Sequence, residues 1–375
     1  MGMPEKEFRA AVIGLGRMGS TFDDEITRGG QFFMPYCHAP TYTASPHTNL
    51  VAGADPHAEQ GEIFAGRWGL ERGQIYADYR EMLQAEQPDF VSLCTTARHR
   101  AAIMIDAINA GVKAIWAEKP FTLSLAEADE VLELSTRKGV AIAVNCSRRY
   151  NVSFNQARRM VDEGELGEIL QITAYTQCNL SHNGSHAIDA MRYLVGADVE
   201  WVFGEMESDE RAAGEQDLMG NGYLAFDNGA RGFIRGSPTG AAPWEFDLIG
   251  TEGRVRNLAQ GMETQYYRWV PGGLRDEGLP ARAPFPLPTH IPSSGLSVIE
   301  DLVDCIKTGK QPRCSGLDGR KALEIAIAMR ESHRRGGRRV DLPLTDRSLR
   351  ILSSEIRSDA VPARVRRLQS NRVAA

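Results

Sequence analysis

The stretch SHNGSHAID brings together three side chains that can bind metals or move protons: His182, His186 and Asp189, spaced at i, i+4 and i+7. On one helix this spacing would present two imidazoles and a carboxylate on a single face, the donor set of a zinc-type site. Asn183-Gly184-Ser185, however, reads as a helix start with Ser185 as cap, which takes His182 off that face. No resident metal is therefore expected. His186 has a side chain suited to general acid/base work without perturbation. Asp189 shares its helix face and either orients the imidazole, touches a substrate hydroxyl or makes an ordinary helix salt bridge. A second reactive group is Lys119 in AEKP, aimed by the turn that Pro120 fixes. Each can hold or move a proton at a reacting oxygen.

The apolar run Phe8 to Ile13 breaks into Gly14-Leu15-Gly16-Arg17-Met18-Gly19, a strand followed by the glycine spacing of a dinucleotide-binding loop. Those glycines serve a tight turn, close approach of backbone N–H groups to a pyrophosphate, and helix-on-strand packing. An acidic residue for the ribose hydroxyls belongs at the end of the next strand, about 20 residues on. Here it is Asp55, about twice as far, because Thr21 to His47 reads as an inserted loop able to supply a lid, substrate contacts or a subunit contact. Asp55 repels a 2′-phosphate and Pro56-His57 offers no arginine to receive one, so NAD is favoured over NADP.

The elements that must position these groups alternate regularly. Strands NLVAGAD, DFVSLCTT, VKAIWAEKP and VAIAVNC are separated by helices over about 98–109 and 124–138, which end at Gly111 and Gly139. This predicts an α/β fold, a doubly wound parallel sheet of Rossmann type, whose ligands bind beyond the carboxyl ends of the strands. Thr95, Thr96, Glu118 and Lys119 sit at such ends. Beyond residue 145, GELGEILQITAY, VEWVFGEMES, GYLAFDNGARGFIRGS, WEFDLIGTEGRV and TQYYRWV predict a second α/β domain with an open, mostly antiparallel sheet. GGLRDEGLPARAPFPLPTHIPSSG reads as a loop leading to a helix near Leu296. Arg149 and Tyr150 lie at the domain junction, as substrate contacts or as a structural hinge.

The 375 residues, with 42% hydrophobic and 25% charged, suffice for two cores. A net charge of −6 gives no general attraction to nucleic acid or anionic lipid, so the expected partner is a small molecule. Six cysteines without a C-x-x-C pair fit a reducing compartment. MGMPEKEFRA lacks a signal peptide's apolar region, Lys6 stands where a myristoylation motif wants Ser or Thr, and no apolar run could span a bilayer. A cytoplasmic protein is expected. Its domains are expected over 1–145 and 146–345, followed by a basic tail over 346–375.

The Gly14–Gly19 loop, Ala117-Glu118-Lys119-Pro120, Arg149-Tyr150, Gly184-x-His186-x-x-Asp189, Gly250-Thr251-Glu252-Gly253 and SGLDGRKALEIAIAMRESH together resemble the Gfo/Idh/MocA oxidoreductases across nearly the whole chain. The resemblance implies oxidation of a secondary alcohol of a sugar or polyol, or its reverse, with NAD(P). It maps the family's reacting lysine and histidine onto Lys119 and His186; removing a hydride from a carbinol needs a base for its proton, and His186 is assigned that part with Lys119 holding the hydroxyl oxygen, Lys119 as base being the alternative. The exposed antiparallel sheet makes a homodimer or homotetramer the expectation. Two departures stand out. His182 occupies the place where many members carry an aspartate, and Thr96, Ala97 and Arg100 replace a Thr-Pro-Asn-x-x-His pattern. Redox-assisted glycoside cleavage and a non-catalytic NAD-sensing role are the alternatives.

Overall fold

The computed structural model describes residues 8–26, 34–242, 244–273, 277–288 and 291–353. Strands β1 (Phe8–Ile13), β2 (Thr48–Ala54), β3 (Ile75–Tyr76), β4 (Phe90–Leu93), β5 (Ala114–Ala117) and β6 (Ala141–Val144) form a parallel sheet in the order β3-β2-β1-β4-β5-β6. The order reverses between β1 and β4, and the glycine loop leaves β1 at that switch point. Helices α1 (His38–Ala44), α2 (Ala58–Trp68), α3 (Tyr79–Glu86), α4 (Ala97–Asn109) and α5 (Leu125–Lys138) accompany the sheet. Because helices cover it, its central strands are buried without alternation: Phe90 to Leu93 and Ala114 to Ala117 are buried throughout, and Ser92 is the one polar residue among them. Local chemistry sets the ends of α5, where Ser124 and Glu127 form a capping box and Gly139, at φ 70°, closes the helix in the left-handed region.

A short 3₁₀ turn, Ser147–Tyr150, leads into α6 (Val152–Asp162), β7 (Ile169–Thr176), α7 (Gly184–Val195), β8 (Val199–Met206) and α8 (Asp209–Ala212). Then follow β9 (Gly220–Phe226), β10 (Arg231–Gly236), β11 (Trp244–Gly250), β12 (Gly253–Leu258), β13 (Glu263–Val270), β14 (Leu279–Ala283), α9 (Ser294–Thr308), α10 (Gly316–Arg334) and β15 (Val340–Asp341). The second sheet runs β14-β13-β12-β11-β7-β10-β9-β8-β15 and is antiparallel except where β10 pairs with β7. The Asp227-Asn228-Gly229 turn joins β9 to β10, with Gly229 at φ 90°. Along β10 the buried Gly232, Ile234 and Gly236 alternate with the exposed Phe233 and Arg235. The inner face packs on α7 and α10; on the other, Trp201, Phe203, Tyr223 and Phe233 form a chain of ring contacts.

Several expectations change. The inserted segment is more than a loop, since it contains α1 and a 3₁₀ turn at Phe22–Glu25; residues 27–33 lie outside the described residues. The helix after the glycine loop is a five-residue π-helical turn, Arg17–Thr21. The Pro- and Gly-rich segment before α9 contributes strand β14. Ser185 does not cap α7: Asn183 holds that position without a side-chain cap bond, and Ser185 Oγ instead donates to the His182 carbonyl at 2.8 Å. Helix α9 joins the core of the first domain, where Val298, Ile299 and Leu302 are buried. Of the expected basic tail, residues 346–353 are docked: Ile351 N–H donates to the Leu123 carbonyl and Arg350 pairs with Glu215 at 2.8 Å. Residues 354–375 lie outside the described residues.

Candidate active site

The glycine loop is shaped for a dinucleotide. Gly14 has φ 90°, and a Cβ there would lie 2.8 Å from the Cys94 carbonyl carbon; one on Gly19 would lie 2.2 Å from the Gly14 oxygen. Both positions are closed to larger residues by the fold itself. Gly16 differs, because nothing lies within 4 Å of where its Cβ would be. Its missing side chain leaves room on the cleft side, where a pyrophosphate can approach the backbone. Asp55 accepts from Leu15 N–H at 2.9 Å and His57 N–H at 3.0 Å, tying the loop to the end of β2. With Gly14, Gly16, Arg17, Thr95 and Thr96 it lines a cavity of about 1140 Å³, and the buried Thr95 Oγ1 there lacks a hydrogen-bond partner. These residues fit NAD: an acidic group stands at the ribose position, and Arg80, on the same wall, is paired with Asp106 at 3.0 Å.

The cavity continues past Arg17, Cys94, Thr95 and Thr96 into a compartment of about 440 Å³ lined by Glu118, Lys119, His182 and His186. Leu15, Met18 and Gly19 complete the loop; Met18 reaches the compartment, while Leu15 is buried in the core. Lys119 extends from the end of β5, and its Nζ donates to Asn183 Oδ1 at 2.7 Å. Arg100, buried in α4, clamps the turn beneath by donating to the carbonyls of Pro120 and Thr95. Burial pulls the Lys119 ammonium below its ordinary range, against the opposing charge of Glu118. Glu118 is buried and accepts from His38 Nε2 at 3.3 Å and Asn145 Nδ2 at 2.6 Å. Burial alone would raise its pKa; the His38 hydrogen bond and the Lys119 charge outweigh that and hold the carboxyl well below the usual carboxylate range. His38, from the inserted segment, stacks on Trp116 at 3.7 Å and reaches Ser92 Oγ at 2.8 Å through Nδ1. The insertion therefore supports the end of β5 that carries Lys119.

The opposite wall is the corner from β7 into α7. Asp217 organises it, accepting from Ser181 N–H at 2.8 Å and His182 N–H at 2.7 Å. Burial pushes its carboxyl up to about 6. His186 faces the cleft in the first turn of α7, edge-on to Trp244 at 6.3 Å, with Nδ1 buried and lacking a hydrogen-bond partner. Burial, then the Arg148 and Lys119 cations, hold its pKa well below 6.5, so the imidazole is neutral. His182 lies before the helix and lines the same compartment, held at about 4 by burial and by the Lys119 charge.

The structure does not bring Asp189, Arg149 and Tyr150 into the cleft. The Asp189 carboxylate, fully buried, is gripped by Arg149 at 2.8–3.0 Å; Arg149 also reaches Asp318 Oδ1 at 2.9 Å and the Arg313 carbonyl. Asp189 therefore pairs with the turn before α6, and along its own helix with Arg192 at 3.8 Å, and leaves the His186 imidazole unoriented. Tyr150 OH donates to Asp301 Oδ2 at 3.0 Å. His182, His186 and Asp189 do not gather as metal ligands. Among the described residues the ligand atoms that cluster within 4.8 Å are those of Cys146, Asp189 and Cys314. Arg149 already supplies the positive charge there. Sequence reading missed His38, Asn145, Asn183, Asp217 and Trp244. Ser92, a lone polar residue inside an apolar strand, was the one local signal pointing to the network under Glu118.

Residues 8–146 match the NAD-binding Rossmann fold of an oxidoreductase family, and residues 179–342 match that family's C-terminal alpha/beta domain. The chain is 28% identical over 358 residues to scyllo-inositol 2-dehydrogenase (NAD(+)) of Bacillus subtilis, covering 88% of this chain and 96% of that protein. It is 26% identical over 345 residues to myo-inositol 2-dehydrogenase of Thermotoga maritima, covering 86% and 96%. The fold superposes on aldose-aldose oxidoreductase from Caulobacter crescentus, solved with glycerol, with a TM-score of 0.71 at 20% identity over 90% of this chain and 100% of that one. With both halves matched in order about one cleft, the chain belongs to the Gfo/Idh/MocA family of NAD-dependent oxidoreductases.

Proposed function

We propose that this protein oxidises a secondary alcohol of a sugar, polyol or sugar derivative with NAD, or runs the reverse reaction, using Lys119 and His186. The observation that carries this reading is that both side chains line one compartment continuous with the glycine-loop cavity. The inositol dehydrogenases among its relatives support a polyhydroxylated substrate. Bound NAD would supply the hydride acceptor. Everything else falls to the chain. Lys119, steadied by Asn183, donates to the substrate oxygen and stabilises the negative charge that grows there. Neutral His186 takes the hydroxyl proton, and the buried Glu118 keeps the lysine from facing the cleft as a lone charge. His182 shapes the wall beside them.

The test is a panel of polyols and sugars followed by NADH absorbance, with Lys119→Ala as control. Turnover falls about 10²–10⁴-fold in the variant while NADH binding persists; turnover that survives defeats the mechanism. Net NADH accumulation separates this reaction from glycoside cleavage through transient oxidation. We further propose a homodimer or homotetramer that covers the aromatic outer face of the second sheet, supported by exposed Phe203, Phe233 and Tyr175. Sedimentation of Phe233→Glu should show smaller particles. A cytoplasmic location is supported by six cysteines that form no disulfide. No helix among the described residues is long and apolar enough to cross a membrane.

A further inference from the structure

Beyond His186 the cleft opens into a third compartment, of about 800 Å³, lined by Tyr36, Ser147, Arg148, Trp244 and Glu245. The two adjacent arginines of the turn after β6 meet opposite fates. Arg149 turns inward and is saturated by Asp189, Asp318 and a carbonyl. Arg148 turns into the cleft. Its guanidinium lies over the Trp244 ring at 4.7 Å, and its one hydrogen bond among the described residues is a long one, from Nη1 to Ser147 Oγ at 3.4 Å. Among the described residues it has no carboxylate partner, and Glu245, the one acidic residue on this wall, makes no ion pair with it. Ser147 Oγ lies 3.1 Å from Tyr36 OH, so a guanidinium and two hydroxyls converge at one end of the compartment.

A cation is costly to leave unpaired in a partly enclosed cleft, and neutral hydroxyls do not require one. A guanidinium lying over an indole has fewer orientations open to it, and its fork of N–H groups matches the two oxygens of a carboxylate. The indole edge-on to His186 places this fork on the same side of the cleft as the reacting groups. From this arrangement we infer that the substrate is a sugar acid, a polyhydroxylated carboxylate whose anionic end docks on Arg148 with Ser147 and Tyr36 while its carbinol faces Lys119 and His186. Trp244 then serves twice, orienting the guanidinium and giving the sugar an apolar face to lie against. The inference rests on the dehydrogenase reading and narrows it.

The experiment measures both binding and turnover. D-gluconate, sorbitol and a hexose phosphate are titrated calorimetrically into the NADH-loaded protein and assayed for turnover with NAD. Gluconate should bind more tightly than sorbitol. Arg148→Gln should cut gluconate affinity on the order of 10- to 100-fold, at least tenfold more than it cuts that of sorbitol, whereas Arg148→Lys should keep part of the preference. Equal binding of acid and polyol, equal losses in the variant, or a preference for the phosphate would overturn the proposal. Gluconate that binds through Arg148 without being oxidised by any route would uphold the anionic subsite and count instead against the dehydrogenase reading.

Discussion

Lys119 Nζ donates to Asn183 Oδ1 at 2.7 Å, joining the end of β5 in the first domain to the residue before α7 in the second. The bond spans the cleft and fixes the lysine at the level of His186. Asn183→Ala removes the acceptor without adding bulk. A reacting group displaced by about 1 Å loses on the order of 10²-fold in rate, so kcat should fall by roughly 10- to 100-fold with NADH affinity unchanged. Steady-state kinetics and NADH fluorescence read the two quantities separately. An unaltered kcat would mean that Lys119 is held by its turn and Arg100 alone.

The assignment of base and oxygen holder predicts a shape for the pH profile. His186 must be neutral to accept the proton, so kcat/KM falls as pH drops through its pKa, which burial, Arg148 and Lys119 hold well below 6.5. Lys119 must be charged to hold the oxygen. Activity therefore also falls as pH rises through its pKa, which burial lowers from 10.5 against the pull of Glu118. The expected profile is flat across neutrality, with an acid limb below 6.5 and an alkaline limb below 10.5. Activity that instead climbs and stays high through the alkaline limb would identify Lys119 as the base. Asn183→Asp, which adds a carboxylate beside the ammonium, should move the alkaline limb upward.

Two of the loop glycines should separate by experiment. Gly14→Ala forces a side chain onto φ 90° and against the Cys94 backbone, and should lower the melting temperature by the equivalent of about 1–2 kcal/mol or more. Gly16→Ala meets no atom of the protein within 4 Å. It should fold within about 0.5 kcal/mol of the parent yet bind NADH at least about tenfold more weakly, because its methyl group occupies the space left for the pyrophosphate. Equal NADH affinity in Gly16→Ala would place the phosphates elsewhere along the loop.

The first domain was legible because its signals are local: an apolar run, a glycine spacing, and Ser124 and Gly139 at the two ends of α5. That Lys119 and His186 line one cleft was legible for the same reason, each lying in a short recognisable stretch. The groups that support them come from far away in sequence. His38 reaches Glu118 across 80 residues and Asp217 reaches His182 across 35. No periodicity or spacing encodes such contacts, which exist only after the insertion and the β8–β9 connection have packed. The same limit explains the pair of arginines. Two adjacent residues of identical charge differ only in which one the turn points inward, a matter settled by Asp189 and Asp318 rather than by the string RRY.

That inward arginine yields the last prediction. Breaking a buried ion pair on one side costs about 3–5 kcal/mol where it leaves the charge alone, and without Asp189 the Arg149 guanidinium keeps one carboxylate, Asp318 at 2.9 Å. Asp189→Ala should therefore lower the urea midpoint sharply, while kcat and KM of the folded fraction stay within a few-fold of the parent, because Asp189 is fully buried and touches neither His186 nor the cleft. Arg149→Met combined with Asp189→Leu should recover part of the lost stability, since Arg192 remains to face Asp318 at 3.1 Å. If Asp189→Ala kept its stability and raised KM tenfold, the carboxylate would have to reach the substrate, and the packing of α7 against the turn after β6 would have to differ from the one described.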